Sequence, residues 1–246
     1  MIPEGKFKDF LRHIRRALLR RKLFPAVGSV DLGSLDRVSP VSDNWGFDRG
    51  TPVDRLYIEQ FLEHCSGDIH GRVLEVYSDD YTTRFGGERV TQADILHDKP
   101  GLARATVVLD LADPGSAPEK LFDCVICTQT LHLIFDVASA AESLHKLLKP
   151  GGVLLLTVPG ISPSPQKGLG GYGDYWRFSS ASVSRLFSAP FGAENIEVRS
   201  YGNVYAATTF LQGLALEELD NEKLVYFDAD YEMLITLRAV KVSGEA

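Results

Sequence analysis

The sequence is poor in cysteine, in long apolar runs and in positive charge outside its first residues, and each shortage narrows the protein's possible roles. Three cysteines, Cys65, Cys124 and Cys127, cannot build a disulfide framework, so a reducing compartment and a cytoplasmic enzyme are expected. No apolar stretch approaches the roughly 20 residues a membrane-spanning helix needs. The N-terminus has no apolar core followed by a small-residue cleavage site, so no secretory signal is expected. The net charge is −7, but residues 1–22 hold eight Lys or Arg against Glu4 and Asp9, leaving −13 on the remainder. An acidic body cannot neutralise a phosphate backbone, which argues against nucleic acid as a partner. Repeats and low-complexity segments are absent, and so is the glycine fingerprint that would cradle a pyrophosphate in a dehydrogenase. Cys124 and Cys127 have redox or zinc spacing, yet residues three apart in a strand point to opposite faces. No His or acid cluster accompanies Asp79-Asp80, so no metal site is expected.

The composition is that of an ordinary folded chain, with 44% hydrophobic and 24% charged residues in 246. Residues 6–22 read as a basic amphipathic helix, with Phe7, Leu11, Ile14 and Leu18 in one stripe. That arm could lie on an anionic membrane surface or a partner, or dock on its own domain. Residues 23–50 read as an irregular connection broken by Pro25, Gly28, Gly33, Pro40 and Gly46, and residues 51–246 as one domain. Thr51-Pro52-Val53-Asp54 has the chemistry of a helix start, with Thr51 as cap, and the helix is expected to reach about Cys65. From residue 71 onward, strands are expected at Arg72–Tyr77, Arg89–Asp94, Ala105–Leu109, Phe122–Cys127, Val153–Val158, Asn195–Tyr201 and Tyr231–Val240. Helices are expected at Val137–Leu148, stopped by Lys149-Pro150-Gly151-Gly152, and around Ala206–Leu219. Strands rich in Val, Ile and Leu on both faces imply a parallel sheet covered by helices, a doubly wound α/β domain.

In such a sheet ligands bind outside the carboxyl ends of the strands. Glu75 lies in the first strand, Asp94 closes the expected second strand 19 residues later, and Asp110-Leu111 follow the third. That spacing suits a carboxylate gripping the ribose of a nucleoside cofactor. The segments Val73-Leu74-Glu75-Val76, Phe122 to His132, Leu144 to Pro159 and Trp176-Arg177-Phe178-Ser179 resemble the class I S-adenosylmethionine-dependent methyltransferases. The resemblance covers about residues 45–240, and more narrowly the chain resembles small methyltransferase-domain proteins of bacterial polysaccharide and secondary-metabolite pathways. It implies a Rossmann-like seven-stranded sheet whose last strand is antiparallel. It implies S-adenosylmethionine as cofactor, with Glu75 and Val76 at its methionine end, Asp94 on its ribose, Asp110 and Leu111 framing the adenine, Thr128 and Gln129 flanking the methionine portion, and Arg49 pairing with its carboxylate.

One departure stands out. Where the family has Gly-x-Gly after the first strand, this chain has Tyr77, Ser78 and Asp79. Glycines there permit positive φ and close approach to the ligand. Either the cofactor sits in a reshaped loop, or the protein is a non-catalytic scaffold of the same fold. The two readings differ on whether the crevice is open or plugged by Tyr77 and Tyr81. His132, just after the fourth strand, is the candidate general base for a hydroxyl acceptor, and it could equally be a packing or capping residue. The long loop Pro159–Phe178 carries Tyr172, Asp174, Trp176 and Arg177, which suit a saccharide or other polar small-molecule acceptor, or else complete the core.

Overall fold

A computed structural model describes residues 25–165 and 171–242. The basic segment 6–22 therefore lies outside the described residues. The chain divides after Ser39. In the first unit the described part carries a short 3-10 helix at Gly33–Leu35. The second begins at Pro40 and contains all the strands, so residues 40–50 belong to the sheet-bearing body rather than to a connection.

Seven strands form one sheet: β1 (Gly71–Val76), β2 (Val90–His97), β3 (Val107–Val108), β4 (Phe122–Thr128), β5 (Leu148–Pro159), β6 (Ile196–Tyr201) and β7 (Leu234–Val240). Their order is β3-β2-β1-β4-β5-β7-β6. The first five are mutually parallel, and β7 runs antiparallel to both β5 and β6. The expected doubly wound, Rossmann-like sheet with an antiparallel last strand is the one observed. Chain order reverses between β1 and β4, which is the topological switch point where such sheets open a crevice.

Alternation within the strands sends side chains to two cores, one per face. Leu74, Val125, Cys127, Leu154 and Leu156 pack on one side, with α2 (Val137–Leu147) and α3 (Ser180–Phe191) supplying Leu144, Val183 and Phe187. Val73, Cys124, Ile126, Val153 and Leu155 pack on the other, against α1 (Val53–His64) and α4 (Val204–Leu211). Cys124 and Cys127 thus sit in opposite cores, both as free thiols.

Several boundaries differ from the sequence reading, for local reasons. β2 continues past Asp94 to His97, because Ile95 and Leu96 pair with Glu75 and Val76. β5 begins at Leu148, ahead of the Pro-Gly-Gly stop, which it absorbs as a register shift with Gly151 at φ 82°. α1 starts at Val53 without a side-chain cap, because the Thr51 hydroxyl instead donates to Glu217 at 2.8 Å. α4 ends at Leu211, close to Gly213 at φ 67°. α3 has no counterpart in the sequence reading, although Ser179 and Ser182 form a reciprocal capping box at its start. A short α5 (Asn221–Leu224) precedes β7. No helix among the described residues is long and apolar enough to cross a membrane.

Candidate active site

The loops after β1, β2, β3 and β4 gather at one edge of the sheet and enclose a cleft of about 880 Å³. Its walls include Val76, Tyr77 and Ser78 after β1, His97 and Asp98 after β2, Leu109 to Ala112 after β3, and Thr128 to Thr130 after β4. A second cavity of about 210 Å³ adjoins it. Phe47, Arg55, Gln129 and Leu133 line both.

The β1 loop resolves the missing glycine. Tyr77 takes φ 77°, the left-handed conformation a glycine would adopt, so the turn survives with a side chain attached. Its N–H donates to Leu96 O at 2.9 Å, and its ring stands exposed at the rim, 5.6 Å from the His97 ring. Tyr81 lies aside, accepting from Arg55 Nη1 at 3.2 Å. The crevice is therefore open rather than plugged. Only four non-glycine residues among those described have positive φ, and three of them, Trp45, Tyr77 and Gln129, line the two cavities. Such conformations each cost roughly 1 kcal/mol or more and concentrate at functional sites.

Glu75 does not face the cleft. It is buried, and its two oxygens accept from Ser78 Oγ (3.0 Å), Tyr81 N (3.3 Å), Thr82 N (2.7 Å) and Thr82 Oγ1 (2.8 Å). It thereby ties the β1 loop to the single helical turn Thr82–Gly86 that replaces the usual crossover helix. Burial pushes its carboxyl above the ordinary range despite those four donors.

Asp94 is not at a strand end and does not line the cleft. It pairs with Leu74 within the sheet and accepts from Arg72 Nε (2.7 Å), Thr106 Oγ1 (2.8 Å) and Gln92 Nε2 (3.0 Å). Burial works to raise its pKa, but these donors, the Arg72 guanidinium foremost, hold it below the usual carboxylate range. The acid at the end of β2 is Asp98, which lines the cleft and accepts from the Tyr172 hydroxyl at 2.6 Å.

Arg49 is likewise engaged elsewhere, forking onto Glu218 with Nε to Oε2 at 2.9 Å. The cation at the cleft is Arg55, on the first turn of α1. It lies 5.6 Å from the Phe47 ring centre, and it has no carboxylate within ion-pair distance among the described residues. Its position was legible only as part of a helix start, so the sequence reading passed it over.

Of the remaining expected residues, Val76, Asp110, Leu111, Thr128, Gln129 and Tyr172 line the main cleft. His132, Asp174 and Arg177 line the smaller cavity, together with Gln129. Asp174 is buried against Arg177, with contacts of 2.6 and 2.7 Å, and Arg177 also donates to the carbonyls of Ser162, Pro163 and Trp176. That pair braces the loop after β5. Trp176 lines neither cavity; its indole N–H donates to Ile134 O (3.1 Å) and Phe135 O (3.2 Å), clamping the loop from outside.

His132 is partly buried, and its Nδ1 is sealed from solvent without a hydrogen-bond partner among the described residues. Burial drives its pKa down to about 4, with Asp174 opposing and Arg177 reinforcing the shift. The imidazole is therefore neutral at pH 7, and Nε2 is the nitrogen left for a ligand. No group of His, Cys, Asp and Glu that could hold a metal ion occurs among the described residues.

Residues 37–191 match the family model described as "Methyltransferase domain". The chain belongs to this family, of the class I S-adenosylmethionine-dependent type. Among solved structures, an S-adenosylmethionine-dependent methyltransferase from Mesorhizobium loti is 15% identical, covers 80% of this chain and 100% of its own, and has a TM-score of 0.50. The N-methyltransferase NodS of Bradyrhizobium japonicum, solved with S-adenosylhomocysteine, is 15% identical over 85% of this chain and 96% of its own, with a TM-score of 0.46. A curated protein, probable polyketide synthase 10 of Dictyostelium discoideum, is 28% identical over 64 residues, which is 26% of this chain and 3% of that protein. This methyltransferase thus spans a small part of that relative's length.

Proposed function

We propose that this S-adenosylmethionine-dependent methyltransferase holds its cofactor in the main cleft and methylates an oxygen of a small-molecule or saccharide acceptor seated in the adjoining cavity. The observation that carries the reading is that the two cavities meet at Gln129, with an open cleft at the switch point on one side and a neutral histidine on the other.

The residues of the cleft fit the cofactor. Asp98, at the carboxyl end of β2, suits the ribose hydroxyls, with Tyr172 as its present donor. Leu109, Leu111 and Ala112 offer an apolar slot for adenine beside Asp110. Arg55 suits the methionine carboxylate, because its guanidinium has no carboxylate partner among the described residues and keeps donors beyond the one given to Tyr81. The positive φ of Tyr77 lets the β1 turn keep the backbone path that glycine normally provides. Glu75 acts one step back, by holding Ser78 and Tyr81 in place.

The bound cofactor supplies a methyl carbon whose bond to sulfur breaks as the acceptor oxygen bonds to it, the electron pair leaving with sulfur. The protein's part is alignment and proton removal. Gln129, in its left-handed conformation between the cavities, fixes the passage through which donor and acceptor meet. His132 Nε2 takes the hydroxyl proton. The Asp174–Arg177 pair, with Arg177 also donating to the carbonyls of Ser162 and Pro163, fixes that wall of the acceptor cavity.

Calorimetric titration with S-adenosylhomocysteine tests the reading. Saturable binding that Asp98→Ala and Arg55→Ala weaken, and Asp94→Asn does not, is expected. A folded protein with no affinity at millimolar ligand would refute it.

A further inference from the structure

We infer that the smaller cavity selects a single uncharged, planar, hydroxyl-bearing ring, a phenol, as the part of the acceptor that receives the methyl group. This rests on the proposed reading that the cavity is the acceptor site, and narrows the acceptor within it.

Size sets the first limit. An apolar cavity of about 150 Å³ accommodates benzene, so 210 Å³ admits one six-membered ring with small substituents. The walls set the second. Trp45, Phe47, Leu133, Phe210, Met233 and Leu234, with three prolines, make a mainly apolar lining. An aromatic ring gains from such surroundings by burial and by stacking. A pyranose would strip water from several hydroxyls and find few partners for them, a cost of roughly 1–3 kcal/mol for each one left unpaired.

Charge sets the third limit. The acidic and basic side chains of the lining, His132 aside, are Asp54, Arg55, Asp174 and Arg177. Burial raises the Asp54 carboxyl, and Arg55 opposes that. Asp174 and Arg177 consume one another. Arg55 is taken by the cofactor's carboxylate in the proposed reading, so with cofactor bound an ammonium or phosphate entering here finds no free opposite charge and loses its hydration.

The base sets the fourth. Among the described residues no carboxylate hydrogen-bonds to His132 Nδ1, and burial leaves the imidazole a weak proton acceptor, with a pKa of about 4. A phenolic hydroxyl, with a pKa near 10 as in tyrosine, gives up its proton far more readily than an aliphatic alcohol. In the transfer step the phenolic O–H bond breaks, its proton passes to His132 Nε2, and oxygen forms the new bond to the methyl carbon as sulfur departs with its electron pair.

Trp45 reports on the cavity directly. The chain has two tryptophans, and Trp176 lines neither cavity, so Trp176→Phe leaves the fluorescence to Trp45. The variant, loaded with S-adenosylhomocysteine, is titrated with phenol, methyl glucoside and benzylamine. Phenol is expected to give a saturable change at least tenfold tighter than either competitor, weakened about tenfold by His132→Ala. Saturation-transfer NMR on the unmodified chain with the same three probes repeats the ranking without any substitution. Methyl glucoside or benzylamine binding as tightly as phenol, or no phenol response in a protein that binds S-adenosylhomocysteine, would overturn the inference. Failure of S-adenosylhomocysteine to bind would sink the cofactor reading instead, and the phenol titration of the unloaded protein would still decide the cavity's preference.

Discussion

Arg72 donates to Asp94 across two neighbouring strands, Nε to Oδ2 at 2.7 Å, and this bond turns an expected ligand-binding carboxylate into a strut of the sheet. Asp94 is buried, so removing its charge strands a guanidinium and two further donors, Thr106 Oγ1 and Gln92 Nε2. Asp94→Asn is expected to lower stability at pH 7 by roughly 2 kcal/mol, while S-adenosylhomocysteine affinity of the folded fraction stays unchanged. The pH dependence has a definite sign. The folded-state pKa lies below the unfolded value, so the carboxylate's contribution is present above about pH 3.9 and fades as pH falls through the folded value. Urea denaturation of wild type and Asp94→Asn should therefore converge in strong acid. A constant gap across the whole pH range would contradict the strut.

Tyr77 occupies a conformation that costs an L-residue about 1–2 kcal/mol relative to glycine. Tyr77→Gly is expected to raise stability by up to about 1 kcal/mol, since glycine's greater unfolded-state entropy and the lost packing on His97 offset part of the relief. For a chain of this size that is a rise in Tm of about 2–4 °C. Tyr77→Ala keeps the strain without the ring contact and should lower Tm. Calorimetric scans of the three proteins decide it, and a Tm for Tyr77→Gly no higher than that of Tyr77→Ala would mean the left-handed backbone at this position carries no strain to relieve.

The centre of the sheet was legible because β4 and β5 are largely continuous apolar runs separated by strong stops. Val153–Val158, buried on both faces, could be little else. What escaped the sequence was the site's second layer. Glu75 and Asp94 sit at the spacing that a cofactor-binding pair would have, but one turns back onto Thr82 and the other sideways onto Arg72. That choice depends on whether a strand ends at Asp94 or at His97, a matter of pairing with β1 that no local pattern records. Arg55 and Arg49 are both basic residues beside a helix start, and only the distant Glu218 reveals which one is already engaged. α3 did leave a trace in the Ser179-x-x-Ser182 cap, but its glycine-rich and aromatic approach drew the reading toward a loop.

His132 makes the acid limb of activity diagnostic. Its folded pKa is depressed to about 4, below an ordinary histidine's 6.5, so it stays unprotonated well into mild acid. The kcat/KM profile is expected to fall on the acid side near pH 4 rather than near 6.5. Stability follows the opposite sense from a paired histidine. Between about pH 4 and 6.5 the unfolded chain binds the proton and the folded chain does not, so this residue destabilises the fold increasingly as pH drops. His132→Gln should therefore resist acid unfolding better than wild type while losing most of its turnover. A limb at pH 6.5, or a variant more acid-sensitive than wild type, would show that Nδ1 has a partner in solution.

Arg55 and Arg49 provide an internal control for the cofactor assignment, since they are six positions apart and chemically identical. Arg55 faces the cleft from the first turn of α1 with Tyr81 as its side-chain hydrogen-bond partner, and Arg49 is spent on Glu218 outside it. A charge-assisted hydrogen bond contributes about 1.5–3 kcal/mol. Arg55→Ala is accordingly expected to weaken S-adenosylhomocysteine by roughly 10- to 100-fold, and decarboxylated S-adenosylmethionine, which lacks the carboxylate, by little. Arg49→Ala should bind both ligands like wild type and lose only the modest stability of a half-exposed ion pair. Titration of both variants with both ligands separates the alternatives. If Arg55→Ala weakens the decarboxylated ligand as much as the intact one, Arg55 shapes the loop rather than pairing with the carboxylate.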